Sequence, residues 1–262
     1  MRKILVIFSV SLILFSCGSI INNVLEKAGI FEERAYVQFK SSSTKHIAFI
    51  HMHHIGTELF YDDVSRVIDS LQKNSYVAFY EAIRNPEDMN SIQSEISERK
   101  LRKITGFIPS KYYDSISNKI AGNIKYKGDI ELVNQPNYTD LNVDMQTAIK
   151  ADVDIYTLIG EFESKNEEIL LSDCDKNTAI NDKDYKCELV DKKLRKKIFK
   201  EIILDYRNRA LARRIIDSNS EKIVLIYGAN HFKGLWEELD KIDSTWNYDE
   251  TFPDYQDKNT AR

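Results

Sequence analysis

The sequence predicts an α/β fold with a mixed, mainly parallel central sheet flanked by helices. Two observations predict it. Short, apolar, β-branched runs recur at 45–52, 76–83 and 222–228, each the length of a buried strand. Between the first two, Phe60, Val64, Val67, Ile68 and Leu71 repeat at helical spacing, which makes 57–73 an amphipathic helix. Strand, helix and strand within about forty residues form a βαβ unit, so the first two strands are expected to pair in parallel.

The chain begins differently. Arg2 and Lys3 precede an apolar run, Ile4 to Phe15, broken by Ser9 and Ser11. That run is too short for a bilayer span of roughly 20 residues and has the form of a secretory signal. Leu14-Phe15-Ser16-Cys17-Gly18 resembles the lipobox, in which the cysteine is diacylated and becomes the new N-terminus. The expected organisation is a signal over 1–16, a lipidated Cys17 with a tether over 17–44, an α/β domain over 45–241 and a polar tail over 242–262. A lipid-anchored place in the cell envelope follows. Gly18 stands where inner-membrane retention often has an aspartate, which favours the outer membrane, facing the periplasm or the surface.

Assigning Cys17 to lipid leaves Cys174 and Cys187 as an even pair in a polar stretch. An oxidising compartment lets them bond, although sequence does not supply the geometry a bridge needs. With 37 Lys+Arg against 41 Asp+Glu the net charge is -4. Without Arg2 and Lys3 it is 35 against 41, or -6, so nucleic acid is not an expected partner. The Lys192–Lys200 cluster is interleaved with apolar residues and reads as a solvated helix face.

Beyond the second strand, polar helical segments separated by Gly106 and Pro109 fill 87–120, and Glu131–Gln135 reads as a third strand. Asp144 is expected to cap a helix carrying Ile155, Leu158, Ile159 and Phe162 on one side. A long helix over about 189–218 leads into the strand at 222–228, and a helix over 233–241 follows.

Three of the five histidines, His51, His53 and His54, stand at the end of the first strand, and His231 stands just past the end of the last. Open α/β sheets bind ligands beyond the carboxyl ends of their strands. Glu81 ends the second strand among Phe79, Tyr80, Ala82 and Ile83, where a carboxylate requires a partner, a proton or a cation. Two histidines and a carboxylate are a common ligand set for a catalytic divalent ion. Arg207 shares a helix face with Ile203, Ala210 and Leu211, where a guanidinium meets a carboxylate or an anionic ligand. A surface arginine beside Arg209, Arg213 and Arg214 is the alternative.

Read together, these stretches resemble the TraB/GumN family, related to the Tiki proteases and more distantly to erythromycin esterases and ChaN-like haem-binding lipoproteins. Tyr227-Gly228-Ala229-Asn230-His231-Phe232-Lys233-Gly234-Leu235 is similar to the family's Gly-x-x-His motif, and Tyr206-Arg207-Asn208-Arg209-Ala210-Leu211-Ala212 resembles its arginine-bearing helix. His51-Met52-His53-His54-Ile55-Gly56-Thr57 sits where the family has a first Gly-x-x-His, with His51 in the glycine's place. The resemblance spans roughly 45–241 and implies an EreA/ChaN-like fold whose functional residues are His54, Glu81, Arg207 and His231.

The chemistry so implied is hydrolysis of a peptide or ester bond with a divalent ion (Mn, Co or Zn) on His54, His231 and Glu81. Glu81 would alternatively take the proton of water, and Arg207 would stabilise the oxyanion or bind a substrate carboxylate. His51, His53 and Asp144 are further candidates. Two other readings stand beside this one. A binding lipoprotein would capture haem or an iron complex with the histidines and Tyr61, Tyr80 and Tyr227; an envelope scaffold would carry a vestigial pocket. The expected partners are the membrane, through the lipid, and a peptide or small-molecule substrate.

Overall fold

The computed structural model describes residues 21–107, 112–121, 124–182 and 185–248. The signal, Cys17, Pro109 and the tail from 249 lie outside the described residues. The first half of the chain runs α1 (21–27), β1 (Val37–Ser41), β2 (His46–Met52), β3 (Ile55–Gly56), α2 (Glu58–Lys73), β4 (Val77–Tyr80) and α3 (Ser91–Thr105). Short strands follow at β5 (Tyr113–Asp114), β6 (Lys119–Ile120), β7 (Ile124–Lys125), β8 (Val133–Asn134) and β9 (Ile149–Lys150). Then come α4 (Ile155–Glu163), α5 (Asp173–Asn177), α6 (Lys192–Ile198), a π-helical stretch (Phe199–Tyr206) and α7 (Arg207–Asp217). β10 (Lys222–Gly228), α8 (Phe232–Ile242) and β11 (Asn247–Tyr248) complete the described chain.

The central sheet has six strands in the order β11-β1-β2-β10-β4-β9. The pairs β2–β10, β10–β4 and β4–β9 are parallel, while β1 is antiparallel to both β2 and β11. Side chains alternate across the sheet. Ala48, Ile50, Met52, Val224 and Ile226 face α2, packing on Phe60, Val64, Val67 and Ile68. Ile47, Phe49, Ile223, Leu225 and Tyr227 face Leu211, Ile215, Leu235 and Leu239 of α7 and α8. Helices thus cover both faces, as a parallel sheet requires.

β2 and β4 belong to one parallel sheet but are not neighbours, because β10 lies between them. Ile223 to Tyr227 are all buried, so β10 hides both of its faces, and the middle of the sheet is where that happens. β1 occupies part of the expected tether: Val37-Gln38-Phe39-Lys40 alternates apolar and polar residues, and the strand lies between β2 and the edge strand β11. The run read as a third strand contributes only β8, which pairs with β3 in a separate two-stranded sheet, and β9 takes the parallel position beside β4 instead. The cap of α4 is Asp154, whose side chain accepts from Thr157 N, not Asp144. Asp144 folds a turn ten residues earlier, with its carboxylate on Gln146 N and Thr147 Oγ1. Both are Asx caps; only Asp154 directly precedes the apolar run.

Cys174 and Cys187 form a disulfide with a Cα separation of 5.8 Å. Among the described residues no helix is long and apolar enough to cross a membrane.

Candidate active site

The register of the parallel strands brings their carboxyl ends together, with Tyr227 opposite His51, Gly228 opposite Met52, and Ile226 opposite Tyr80. Glu81 follows β4 directly, and its N–H still donates to Ile226 O at 3.2 Å. Its carboxylate is gripped from two sides. Oε1 accepts from Arg207 Nη2 at 2.6 Å and Oε2 from Gly228 N at 2.7 Å. A Cβ on residue 228 would stand 3.2 Å from Oε2, so the glycine of this motif permits the carboxylate's close approach.

Arg207 is 3% exposed. Its Nε and Nη2 donate to Asp152 Oδ1 at 2.8 Å and Oδ2 at 2.6 Å, a two-pronged pair, and Nη1 donates to Ile203 O at 3.3 Å. Asp152 lies two residues past β9, so the acid at each strand end meets the same guanidinium. Burial alone would raise the Glu81 pKa, but Arg207, His231 and His54 outweigh it and lower the pKa to about 2. For Asp152, burial wins over Arg207 and the pKa rises. Burial disfavours the Arg207 cation, yet the two carboxylates hold it firmly charged.

His231 ends a 3-10 turn between β10 and α8. Its Nδ1 lies 2.7 Å from Asn208 Oδ1, so Nδ1 carries the proton and Nε2 keeps a free lone pair. Nε2 stands 3.9 Å from Glu81 Oε1. Burial, with Arg207 next, lowers the His231 pKa to about 4 and keeps the ring neutral. A Cβ at position 234 would meet Asn208 Nδ2 at 2.2 Å; Gly234 therefore makes room for the amide that orients the imidazole.

His54 is exposed, yet protein atoms surround it closely enough for burial to lower its pKa, against the opposing pull of Glu81. Exposure combined with crowding describes a side chain on a concave wall. Its ring stacks on Tyr112, with centroids 4.1 Å apart and 5° between planes, and it shares a hydrogen bond with Gln135. Tyr138 donates to the Glu81 carbonyl. The Tyr227 hydroxyl is buried without a hydrogen-bond partner among the described residues, in the field of Asp152 and Arg207.

Of the residues singled out in the sequence, Glu81, Arg207, His231 and His54 thus share one corner. His51 does not join them: it faces the α8 side, bonded to Gln38 Oε1 at 2.9 Å and packed among Tyr36, Phe49 and Phe232. His53 packs on Phe60 and against Gly29, and its carbonyl accepts from Tyr61 OH at 2.8 Å. Asp144 is exposed in its turn. Asp152, Asn208, Gly228 and Tyr112 are the site residues to which sequence reasoning assigned no role. Asp152 carries no strand-end signal like that of Glu81, because the strand it follows is two residues long; Asn208 lies inside the arginine motif.

Among the described residues no group of three His, Cys, Asp or Glu side chains is placed to hold an ion. Glu81 already has Arg207 on one oxygen and Gly228 on the other, and a guanidinium 2.6 Å away opposes a second cation there. Two surface clefts, of about 410 Å³ by Tyr61, Arg66 and Asp140 and about 160 Å³ by Glu161, Asp205 and Arg209, lie away from this corner. No family model, curated protein or solved structure matches the chain.

Proposed function

We propose that the chain is an envelope-anchored hydrolase of ester or amide bonds, in line with its TraB/GumN-like motifs. One observation carries the reading: a neutral imidazole lone pair, His231 Nε2, faces a fixed carboxylate oxygen of Glu81 across 3.9 Å. That gap is too wide for a direct hydrogen bond. A water donating to both atoms would fit it, with each bond of ordinary length, roughly 2.8 Å. Asn208 holds the His231 tautomer, so Nε2 is free to take a proton as that water attacks a carbonyl carbon; the imidazolium then gives the proton to the alkoxide or amine that departs as the tetrahedral intermediate collapses to the acid. Glu81, ionised beside the ring, stabilises the imidazolium that results. Glu81 is too acidic to serve as the base itself, and Arg207 keeps it so.

His54 stands at the solvent side of the corner as a neutral donor for the carbonyl oxygen, with Tyr112 fixing its plane. The haem reading gains no support from Tyr61 and Tyr227, which are buried; of the three tyrosines it invoked, Tyr80 is half-buried.

The test is turnover of p-nitrophenyl esters and a mixed peptide library by the full chain, with His231→Ala and Glu81→Gln beside it. Each reaction is run with chelator and then with Mn, Co or Zn added. Turnover that resists chelator and is lost in both variants is the expected result. Loss with chelator and recovery with one ion would replace the proposed route by the metal-dependent one. Turnover of nothing under any condition would overturn the hydrolase reading.

A further inference from the structure

We infer that the small sheet β5–β7 rests on the bilayer that carries the N-terminal lipid, with Ile116 entering the acyl layer. The inference rests on the reading of Cys17 as lipidated, and it extends that reading from a tether to a face of the protein.

β5, β6 and β7 form a three-stranded antiparallel flap. The turn at its tip, 115–118, is tied by Asp114, whose Oδ1 accepts from Ile116 N at 3.0 Å and whose Oδ2 accepts from Ser117 Oγ at 3.0 Å. Asn118 adopts φ +53 to complete it. Asp, Ser and Asn each suit such a turn. Ile116 does not: it is 94% exposed and contributes nothing to a core. Ile124, at 48%, and Ile130, at 43%, add exposed aliphatic surface in the same flap and its closing loop. Three exposed aliphatic side chains within fifteen residues of the chain give this element apolar surface available to a partner.

Position identifies the partner. The inner residues Ile120 and Tyr126 form one buried cluster with Ile30, Ile55 and Leu132, against which Leu25 of α1 packs. Cys17 precedes the first described residue of α1 by four positions, and four extended residues reach at most about 14 Å. A lipid on Cys17 therefore brings α1, and the flap packed on it, close to the membrane. Val24 of α1 adds a further exposed apolar side chain, 61% exposed. Electrostatic attraction is not the driving force. Lys119, Lys125 and Lys127 are balanced by Asp114, Asp129 and Glu131, so the contact works by aliphatic burial and is indifferent to anionic lipid. Tyr112, immediately before β5, stacks on His54, which couples the seating of the flap to one wall of the candidate site.

The test places an NBD label on the full-length Ile116→Cys chain, whose new thiol is free while Cys17 is acylated and Cys174 and Cys187 are bonded. A label on Met145→Cys, also exposed and apolar, is the comparison. Each chain is reconstituted in phosphatidylethanolamine–phosphatidylcholine vesicles with and without phosphatidylglycerol, and nitroxide groups in the acyl chains quench by depth. Expected is a blue-shifted, several-fold brighter and quenchable label at 116, unchanged by phosphatidylglycerol or salt, and no change at 145. A chain that floats with the vesicles while the label at 116 stays unquenched overturns the docking and leaves the anchor standing. A chain that does not float overturns both. A label that brightens with protein concentration but resists the acyl quenchers assigns the face to a second copy of the chain, and overturns the bilayer contact too.

Discussion

Two regions of this molecule bury an arginine with a carboxylate, and they use the pair for different ends. In one, Arg102, 1% exposed, donates to the carbonyls of Ala179, Asp175 and Thr178 and lies over the Tyr185 ring. The Asp175 carboxylate beside it accepts from Lys103, Tyr185 and Ser172. Those bonds dock α5 and its disulfide onto α3. In the other region Arg207 holds two strand-end acids, and beside them His231 retains a lone pair with no hydrogen-bond partner among the described residues. Buried charge by itself therefore does not mark a site here, and neither does one unpartnered buried atom, since Arg102 Nε has no hydrogen-bond partner among the described residues. A neutral imidazole nitrogen facing an ionised carboxylate across an open gap sets the second region apart.

Arg207→Leu is the strongest way to break this comparison. It leaves Glu81 and Asp152 buried without their cation, a loss of about 3–5 kcal/mol, and urea unfolding measures it. Arg102→Leu removes bonds to partly buried carbonyls that water can replace, so its loss should be smaller. Equal losses would erase the distinction between the two regions.

The disulfide comes next. Cys174→Ser with Cys187→Ser opens a loop whose ends are 13 residues apart, an effect of about 3 kcal/mol. The imidazole resonances of His54 and His231 should stay where they are, because the docked loop is structural. A shift in either would show that the two regions communicate.

Much of the second region was legible in the sequence, and the reason is periodicity joined to a chemical anomaly. β2, α2 and β10 declare themselves by regular apolar spacing, and Glu81 by a charge inside an apolar run. What stayed hidden had no period to reveal it. β9 is two residues long, so Asp152 follows no recognisable strand. The Arg207–Asp152 pair joins positions 55 apart in the chain. Asn208 and Arg207 are adjacent and both buried, which a regular helix face does not suggest; the π-helical stretch immediately before them alters the register there.

Acid stability sharpens the comparison further. His231 has its pKa lowered from 6.5 to about 4, so between those values the unfolded chain binds a proton that the folded ring refuses. Stability therefore falls as pH drops from 6.5 towards 4, by roughly 2 kcal/mol at pH 5 for this ring. Glu81, lowered from 4.5 to about 2, works in the same direction: its contribution is present above 4.5 and is lost as pH falls through 2. Denaturant midpoints from pH 7 to 4 check the first window. His231→Phe should flatten the slope there, and an unaltered slope would mean that the ring is protonated in the folded state.

The smallest expected effect on stability carries the most information about the site. Asn208→Ala removes one hydrogen bond from His231 Nδ1, a loss of about 1 kcal/mol, below any of the changes above. Its consequence is chemical: with no amide oxygen to hold the proton on Nδ1, the proton can move to Nε2 and point at Glu81. Nitrogen-15 spectra of the ring distinguish the two tautomers directly. The parent should show a protonated Nδ1, and the variant a mixture or the reverse. Asn208→Asp should keep the parent tautomer and raise the His231 pKa above about 4, because a carboxylate favours the imidazolium. If the alanine variant keeps the parent spectrum, the Asn208 contact is packing alone, and the lone pair at Nε2 is set by something other than this amide.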